Sequence, residues 1–425
     1  MGKKSSASAA RTKKSSSKTA TDQETTETTV PEEEMNVVMA IGKKQASSAT
    51  STILEKIRAP VEELQAEELL ALVQNDTYPK PQNWSLSPKM VELFVTGAEE
   101  EFKYTCDGET RRRSITTKYY GDKEIVQKAI VTLASERALM LIGEPGTAKS
   151  WLSEHLAAAI SGLSTCLVQG TAGTTEDQIR YSWNYALLVA EGPSPRALVP
   201  SPTINAMRTG KLLRFEELTR CPQEIQDCMV SILSEKVIPV PELGSEYLVF
   251  AKPGFNVIAT ANDRDRGVNE MSAALKRRFN FIYIPVIQDK ELEKKIVLKR
   301  AGDILERMGF EIQLPKDVLD LLVTVFQELR SGKSESGGRF TPISTVMSTS
   351  EEISVLLDSA IYAYFFAKQK VEPEHLAMQI VDAIVKDDKE NMGKLKEYLN
   401  IEVPTRAASS TTWDRFFKAI KDLIW

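Results

Sequence analysis

Eight consecutive residues have the composition of a loop that binds phosphate groups. Two glycines permit a tight turn, and a lysine followed by a hydroxyl residue ends the run. Backbone N–H groups at such a turn, in front of a helix, donate to phosphate oxygens, while the lysine neutralises charge and the hydroxyl ligates Mg²⁺. The candidate nucleotide contacts are Gly143, Glu144, Pro145, Gly146, Thr147, Ala148, Lys149 and Ser150. Ala148 stands where the general pattern has a second glycine, so its cost depends on the sign of φ there.

Two carboxylates follow a later predicted buried strand, residues 212–215. In phosphoryl-transfer sites the first such carboxylate orients the hydration shell of Mg²⁺, and the second polarises the attacking water. Glu216 is therefore predicted to serve the metal together with Ser150, and Glu217 to act as the catalytic base. Aspartate is usual at the first position, and the extra methylene of Glu216 moves the carboxylate by about 1.5 Å.

Polar groups also end a third apolar run and precede a fourth. Residues 255–261 lead to Asn262, whose amide can hold the attacking water and sense the γ-phosphate. A basic cluster containing Arg277 and Arg278 comes shortly afterwards. Arginines in such a place are candidates to reach the phosphate of a neighbouring subunit as an arginine finger.

Short apolar runs that alternate with helical stretches predict the scaffold for these groups. The predicted buried strands are residues 138–142, 167–169, 212–215, 255–261 and 281–286. Strands that alternate with helices form a parallel sheet covered on both faces. Beyond residue 288 only helical patterns follow. The predicted fold class is therefore α/β, with a phosphate-loop core whose parallel sheet is flanked by helices, followed by an all-helical lid.

The remaining segments complete the predicted organisation of the chain. Residues 1–34 are polar and charged and are predicted to be a disordered tail, because they cannot bury enough apolar surface to offset their ordering entropy. The further predicted regions are a small, mostly helical region at 35–118, the α/β core at 119–287, the helical lid at 288–395 and a C-terminal tail at 396–425. The last segment is amphipathic from residue 413, and we expect it to pack on the lid.

Composition excludes several other functions. The net charge of −5 argues against a protein that coats nucleic acid, and only two histidines make Ser-His-Asp hydrolysis improbable. The four scattered cysteines include no CxxC pair, which disfavours a zinc site. No apolar stretch is long enough to span a membrane, and no secretory signal is evident, so a cytoplasmic protein is expected.

The order of these motifs closely resembles that of the AAA+ superfamily, specifically the MoxR-like branch related to magnesium chelatase and the dynein-related ATPases. The resemblance runs from about residue 119 to about residue 386. The loop at 143–150, alanine included, looks like the phosphate loop of that branch, and residues 216–220 look like its acidic strand end followed by a polar turn.

The resemblance implies a homo-oligomeric ring, usually a hexamer, with ATP and Mg²⁺ bound between subunits. Arg278, immediately before Phe279, then matches the finger position better than Arg277. Tyr120 and Gly121 belong to a turn similar to the segment that lies over the adenine base of these proteins.

The predicted lid departs from the family, and two insertions agree with it. The family often has an arginine early in a late lid helix that touches the γ-phosphate. Residues 344–349 contain none, so Arg339 is the candidate substitute. Residues 180–210 resemble the family's substrate-facing insertion, and residues 237–250 are predicted to form a hairpin.

Several functions stay open at this point. The leading hypothesis is an ATP-hydrolysing ring that remodels partner proteins, and the resemblance implies clients that often bear von Willebrand factor A domains. The alternative is an assembly scaffold that binds ATP and barely hydrolyses it, which Glu216 and the missing lid arginine favour. A nucleic-acid motor has only fold-level analogy and the basic N-terminal tail in its support. A small phosphate-loop kinase is disfavoured, because it would not need Asn262, the arginine pair or the lid.

Overall fold

The computed structural model describes residues 38–41, 56–135, 137–263, 269–343, 347–386 and 389–424. The predicted disordered tail at 1–34 lies outside these residues. Before the core come β1 (Val38–Ile41), α1 (Val61–Leu64), α2 (Ala66–Asn75), α3 (Pro88–Thr96), β2 (Ala98–Cys106) and β3 (Glu109–Ile115).

The core consists of strands that alternate with helices. Its elements are α4 (Lys123–Ala134), β4 (Ala138–Gly143), α5 (Lys149–Ser161), β5 (Leu167–Gln169), α6 (Glu176–Ile179), β6 (Tyr181–Trp183), α7 (Tyr185–Glu191), β7 (Leu198–Pro200), α8 (Pro202–Thr209), β8 (Leu212–Glu216), α9 (Gln223–Glu235), β9 (Val237–Pro239), β10 (Leu248–Phe250), β11 (Asn256–Asn262), α10 (Ala273–Lys276) and β12 (Phe279–Tyr283). Five of the strands form one parallel sheet in the order β12-β4-β11-β8-β5. This confirms the predicted parallel sheet and its five strands.

The C-terminal block is helical except for one short strand. It contains α11 (Lys290–Met308), β13 (Ile312–Pro315), α12 (Lys316–Ser331), α13 (Thr349–Phe366), α14 (Pro373–Val385), α15 (Lys389–Ile401), α16 (Val403–Ala407) and α17 (Thr411–Ile424). The strand β13 was not predicted, and it pairs antiparallel with β1. Helix α17 buries Trp413, Phe416, Ile420 and Ile424 in the apolar cluster shared by the other helices of this block, as expected.

The region before the core contains a hairpin that its sequence did not predict. β2 and β3 pair antiparallel, and their solvent-facing positions are mostly Glu, Lys and Arg. Only Phe102, Tyr104 and Ile115 of this hairpin are fully buried apolar residues. They join a cluster that also includes side chains of α3, β4 and α5, so the apolar core is continuous across residue 118.

Both insertions form antiparallel pairs beside the main sheet. β9 pairs with β10 around a short turn at 241–243, which confirms the hairpin predicted at 237–250. β6 pairs with β7, and α7 lies between them. No helix in the described part of the chain is long and apolar enough to cross a membrane.

Candidate functional site

The predicted phosphate loop connects the end of β4 to the start of α5. Gly143 has φ of 155°, and a Cβ there would collide with the carbonyl oxygen of Ile284. Gly146 has φ of 76°, and a Cβ there would collide with Ser348 at the start of α13. Both glycines are therefore required by backbone conformation and by close packing. The loop has the strand–turn–helix setting that phosphate binding needs.

Ala148 occupies a left-handed backbone conformation. Its φ is 66° and its ψ is 24°, immediately before the first residue of α5. This conformation costs a residue with a Cβ about 1–2 kcal/mol relative to the ordinary helical region. The alanine therefore keeps the left-handed geometry that glycine adopts readily, with strain stored next to Lys149.

Lys149 is buried at the base of the loop. Its ammonium donates to the carbonyl oxygens of Gly143 at 3.0 Å and Glu144 at 2.6 Å. Burial lowers the pKa of Lys149 to about 8, although nearby carboxylates, Asp263 first among them, act to raise it. The ammonium is thus held at the base of the loop by two carbonyls and, at 3.5 Å, by the hydroxyl of Thr147.

Glu216 is the centre of a buried hydrogen-bond network. Its Oε2 accepts from Ser150 Oγ at 2.6 Å and from Thr260 Oγ1 at 2.7 Å. Its Oε1 accepts from Ser153 Oγ at 2.5 Å and from the guanidinium of Arg214 at 2.9 Å. Burial alone would raise the pKa of Glu216, but the charge of Arg214 and the three hydroxyl donors hold it below its ordinary value. Glu216 is therefore an anion whose position is fixed by three elements of the core.

The residues present fit a magnesium ion. Ser150 and Oε2 of Glu216 are oxygen donors side by side, and Mg²⁺ in nucleotide sites takes few protein oxygens beside phosphates and water. The glutamate side chain reaches Ser150 in spite of its extra methylene. The structure thus brings together the two residues predicted to serve the metal.

Glu217 and Asn262 end neighbouring strands at the same edge of the sheet. The backbone N–H of Glu217 donates to Thr260 Oγ1 at 3.0 Å, and Asn262 is paired in register with Gly143. The carboxylate of Glu217 is partly exposed and forms an ion pair with Arg220 at 2.9 Å. The predicted base and the predicted amide therefore both lie beside the phosphate loop, and Arg220 is an unpredicted neighbour.

Arg277 and Arg278 lie where the strands of the sheet begin, at the opposite end of the strands from the phosphate loop. They precede Phe279, which pairs with Ala138 at the start of β4, whereas the phosphate loop follows the end of that strand. Six residues of β4 separate the two edges, roughly 17 Å at 3.3 Å per residue. Arg278 donates to the carbonyl of Ala274 at 2.6 Å and to Ser234 Oγ, while Arg277 is exposed. Their predicted role as fingers therefore requires the phosphate of another subunit.

The remaining predicted nucleotide contacts lie on two different elements. Tyr120 and Gly121 precede α4, in a segment whose Lys118 carbonyl accepts from the indole N–H of Trp151 in α5 at 2.9 Å. Arg339 is exposed, and the residues around it in its loop contact α11, α12, α15 and the N-cap of α16. Its contact with a γ-phosphate stays a prediction.

Sequence reasoning missed four residues of this site, and two periodicities could have found three of them. Arg214 and Glu216 are two apart on β8, as are Thr260 and Asn262 on β11, so each pair shares a face of its strand. Ser153 is three residues after Ser150 on α5 and shares its face of the helix. Arg220, which pairs with Glu217, carries no such signal, because it follows a turn.

Comparison with known proteins agrees with this geometry. Residues 138–279 match the AAA domain of the dynein-related subfamily, and residues 291–423 match the YehL-like AAA+ ATPase C-terminal domain. The uncharacterized protein YehL of Escherichia coli K12 is 43% identical over 363 residues, which are 85% of this chain and 96% of that protein. The uncharacterized protein SH1500 of Staphylococcus haemolyticus is 24% identical over 264 residues, 61% of this chain and 94% of its own.

The solved structures to which this chain is similar are more distant in sequence. NtrX of Brucella abortus in complex with ATP shares 15% identity with a TM-score of 0.43, over 65% of this chain and 60% of its own. The two matched domains and the 43% identity establish the family. The chain is a member of the YehL-like AAA+ ATPases, in the dynein-related subfamily.

Proposed function

We propose that this chain hydrolyses ATP with Mg²⁺. An AAA domain of this kind implies ATP binding. The observation that carries the step to hydrolysis is the arrangement around Glu216, where one carboxylate oxygen holds the hydroxyl of Ser150 and the next residue, Glu217, lies partly exposed beside the loop.

Each group has a separate part in that reaction. The amides of the loop and the ammonium of Lys149 bind the phosphates, and Ser150 with Glu216 would hold Mg²⁺, which would neutralise negative charge on the phosphates. Glu217 orients the attacking water and accepts its proton, and the amide of Asn262 steadies that water. Glu216, Glu217 and Asn262 lie at the ends of β8 and β11, which are already paired in the sheet. These steps therefore need no movement of the sheet.

The function includes assembly into a ring, with a hexamer as the expected form. Arg277 and Arg278 are separated from their own phosphate loop by the length of β4, so a neighbouring copy is the reaction partner that their position favours. The arginine charge then stabilises the transition state across the interface between subunits.

The energy is used, in this proposal, to remodel a partner protein. Helix α7 in the first insertion is almost entirely apolar, yet none of its side chains is buried. Tyr185 and Val189 are 67% and 88% exposed, and Phe250 on strand β10 of the second insertion is 63% exposed. Apolar surface presented in this way is typical of a protein-binding site. A client with a von Willebrand factor A domain and a cytoplasmic location remain predictions from the sequence.

The test is ATP turnover by the purified protein with and without Mg²⁺. Glu217→Gln should bind ATP with affinity close to the wild type and lose turnover by 10²-fold or more, on the order expected for a general base. Arg278→Ala should reduce turnover only in assembled protein. Mixing Arg278→Ala with Glu217→Gln should restore activity at interfaces where the first variant supplies an intact Glu217 and the second supplies an intact Arg278. Wild-type protein that assembles and binds ATP without phosphate release would overturn the proposal.

One observation favours the scaffold that barely hydrolyses ATP. The ion pair between Arg220 and Glu217 holds the predicted base away from a free, water-polarising role. Arg220→Ala separates the two functions, because it should raise turnover if the pair only restrains Glu217. A variant that still assembles with ATP and still releases no phosphate would favour the scaffold.

A further inference from the structure

The lid, the phosphate-loop helix and the predicted adenine segment meet at one carbonyl group. The carbonyl oxygen of Lys118 accepts from Trp151 Nε1 at 2.9 Å and from Arg300 Nη2 at 2.8 Å. The guanidinium of Arg300 also lies 3.6 Å from the centre of the Trp151 ring. Trp151 directly follows Ser150 on α5, and Arg300 belongs to α11, the first helix of the lid.

The segment that carries this carbonyl is also bound to the core through other groups. The ammonium of Lys118 forms a buried ion pair with Glu68 of α2. The backbone N–H groups of Lys118 and Tyr119 both donate to the carbonyl of Val95 at 3.0 Å. A shift of the lid therefore changes the Arg300 contacts, while the carbonyl stays in place.

Helix α11 reaches the same segment at a second point. The ammonium of Lys295 lies 5.9 Å from the centre of the Tyr120 ring, in the turn predicted to cover the adenine base. Lys295 and Arg300 are five residues apart on α11, so one stretch of this helix borders both the adenine segment and the helix that carries Lys149 and Ser150. Nucleotide bound between these elements must therefore lie close to α11.

We propose that Arg300 is the positioning residue that couples the lid to bound nucleotide. In the family that this chain resembles, an arginine of a late lid helix often links the lid to the γ-phosphate. Residues 344–352 contain no arginine, so Arg300 provides the link between lid and nucleotide in this chain. Arg300 senses the nucleotide through its contacts with the adenine segment and with Trp151, and not through a contact with the terminal phosphate. The inference rests on the proposed function for its effect on turnover, while its effect on binding needs only that the chain binds ATP.

The first measurement is nucleotide affinity, with a fluorescent ATP analogue and without Mg²⁺ so that hydrolysis does not intervene. Arg300→Ala should weaken binding about tenfold, the scale of one desolvated cation–π and hydrogen-bond contact. Arg300→Lys keeps the charge and a donor and loses the planar stack, so it should recover part of the loss. Arg307→Ala is the matched control, because Arg307 is an exposed arginine of the same helix, and its one hydrogen bond to the described residues is to a carbonyl one turn earlier.

The second measurement is the emission of Trp151, taken as the difference between the wild type and Trp151→Phe. This difference should change when ATP or ADP is added, and the change should vanish in Arg300→Ala. In the double variant the losses of affinity from Trp151→Phe and Arg300→Ala should fail to multiply, because both remove one shared junction. A structural role alone would lower thermal stability and leave these nucleotide-dependent signals intact.

The outcomes separate the two proposals. Wild-type affinity in Arg300→Ala, or losses that multiply in the double variant, would overturn the role of Arg300. Turnover that is absent from the wild type would count against hydrolysis, while the binding and emission comparisons would still decide the coupling. With turnover present, Arg300→Ala should raise KM by more than it lowers kcat.

Discussion

Replacing Arg214 with methionine should strongly destabilise the core around Ser150 and Glu216. Arg214 is buried on β8, where it pairs with Glu216 at 2.9 Å and donates to Ser153 Oγ at 3.1 Å. It also donates to the carbonyls of Ser164 at 3.1 Å and Ser150 at 3.3 Å. The variant leaves Glu216 as a buried anion with hydroxyl donors and no cation.

The magnitude follows from what remains of the network. Removal of one partner from a buried ion pair costs about 3–5 kcal/mol, because the other charge stays desolvated. The three hydroxyl donors from Ser150, Ser153 and Thr260 still stabilise Glu216, which places the expected loss near the lower end, about 3 kcal/mol. The matched control is Arg196→Met, whose exposed ion pair with Glu191 is worth about 0–1 kcal/mol.

Chemical unfolding followed by hydrogen exchange in α5 and β8 measures the effect locally, which matters in a chain with more than one domain. The double variant Arg214→Met, Glu216→Gln removes the charge as well and should recover part of the loss. The sign with pH is also set, since Glu216 has a lowered pKa in the folded protein. Its stabilisation is present above its unfolded pKa and is lost as pH falls through the folded value. A loss below about 1 kcal/mol in Arg214→Met at neutral pH would refute the reasoning.

Two further outcomes are expected. Ala148→Gly removes a left-handed alanine whose strain is about 1–2 kcal/mol, but it also increases the entropy of the unfolded chain, which costs about 0.4–1 kcal/mol. Thermal unfolding should therefore show a small net gain in stability. A loss of stability would contradict the assigned φ. Glu352→Gln should stabilise the lid at and above neutral pH, as measured by unfolding between about pH 5 and pH 9. Burial and the nearby Glu293 raise the pKa of Glu352 well above its ordinary value, so its contribution is present at low pH and is lost as pH rises through the folded value. An unchanged pH profile in that variant would show that Glu352 does not titrate as argued.

The sequence predicted those parts of the fold where local pattern and burial agree. The strands of the main sheet are short apolar runs, and the lid helices repeat apolar residues with helical spacing, so both were predictable. The β2–β3 hairpin was not, because most of its side chains face solvent and carry charge. Only Phe102 and Tyr104 on β2 and Ile115 at the end of β3 identify its inner face, which is too few positions to reveal an alternation.

The candidate site also has a part that the sequence predicted and a part that it did not, for a different physical reason. Strand ends mark Glu217 and Asn262, because parallel strands in one sheet bring their carboxyl ends to one edge. The lid side of the site depends on contacts between distant parts of the chain. Gly146 meets Ser348, and Lys118 meets Arg300, and neither pair leaves a pattern in the sequence.

The glutamate at position 216 shows how structure can account for a departure from a motif. Its carboxylate joins Ser150 and Ser153 on α5, Thr260 on β11 and Arg214 on its own strand. An aspartate would hold the carboxylate about 1.5 Å closer to the β8 backbone and could not keep all four contacts with the same strand spacing. Because Arg214 occupies the same face two residues earlier, a longer acid is needed to satisfy that cation and still present one oxygen to Ser150. Glu216 and Arg214 therefore form one structural unit, and the acid at this position is interpretable only together with its arginine.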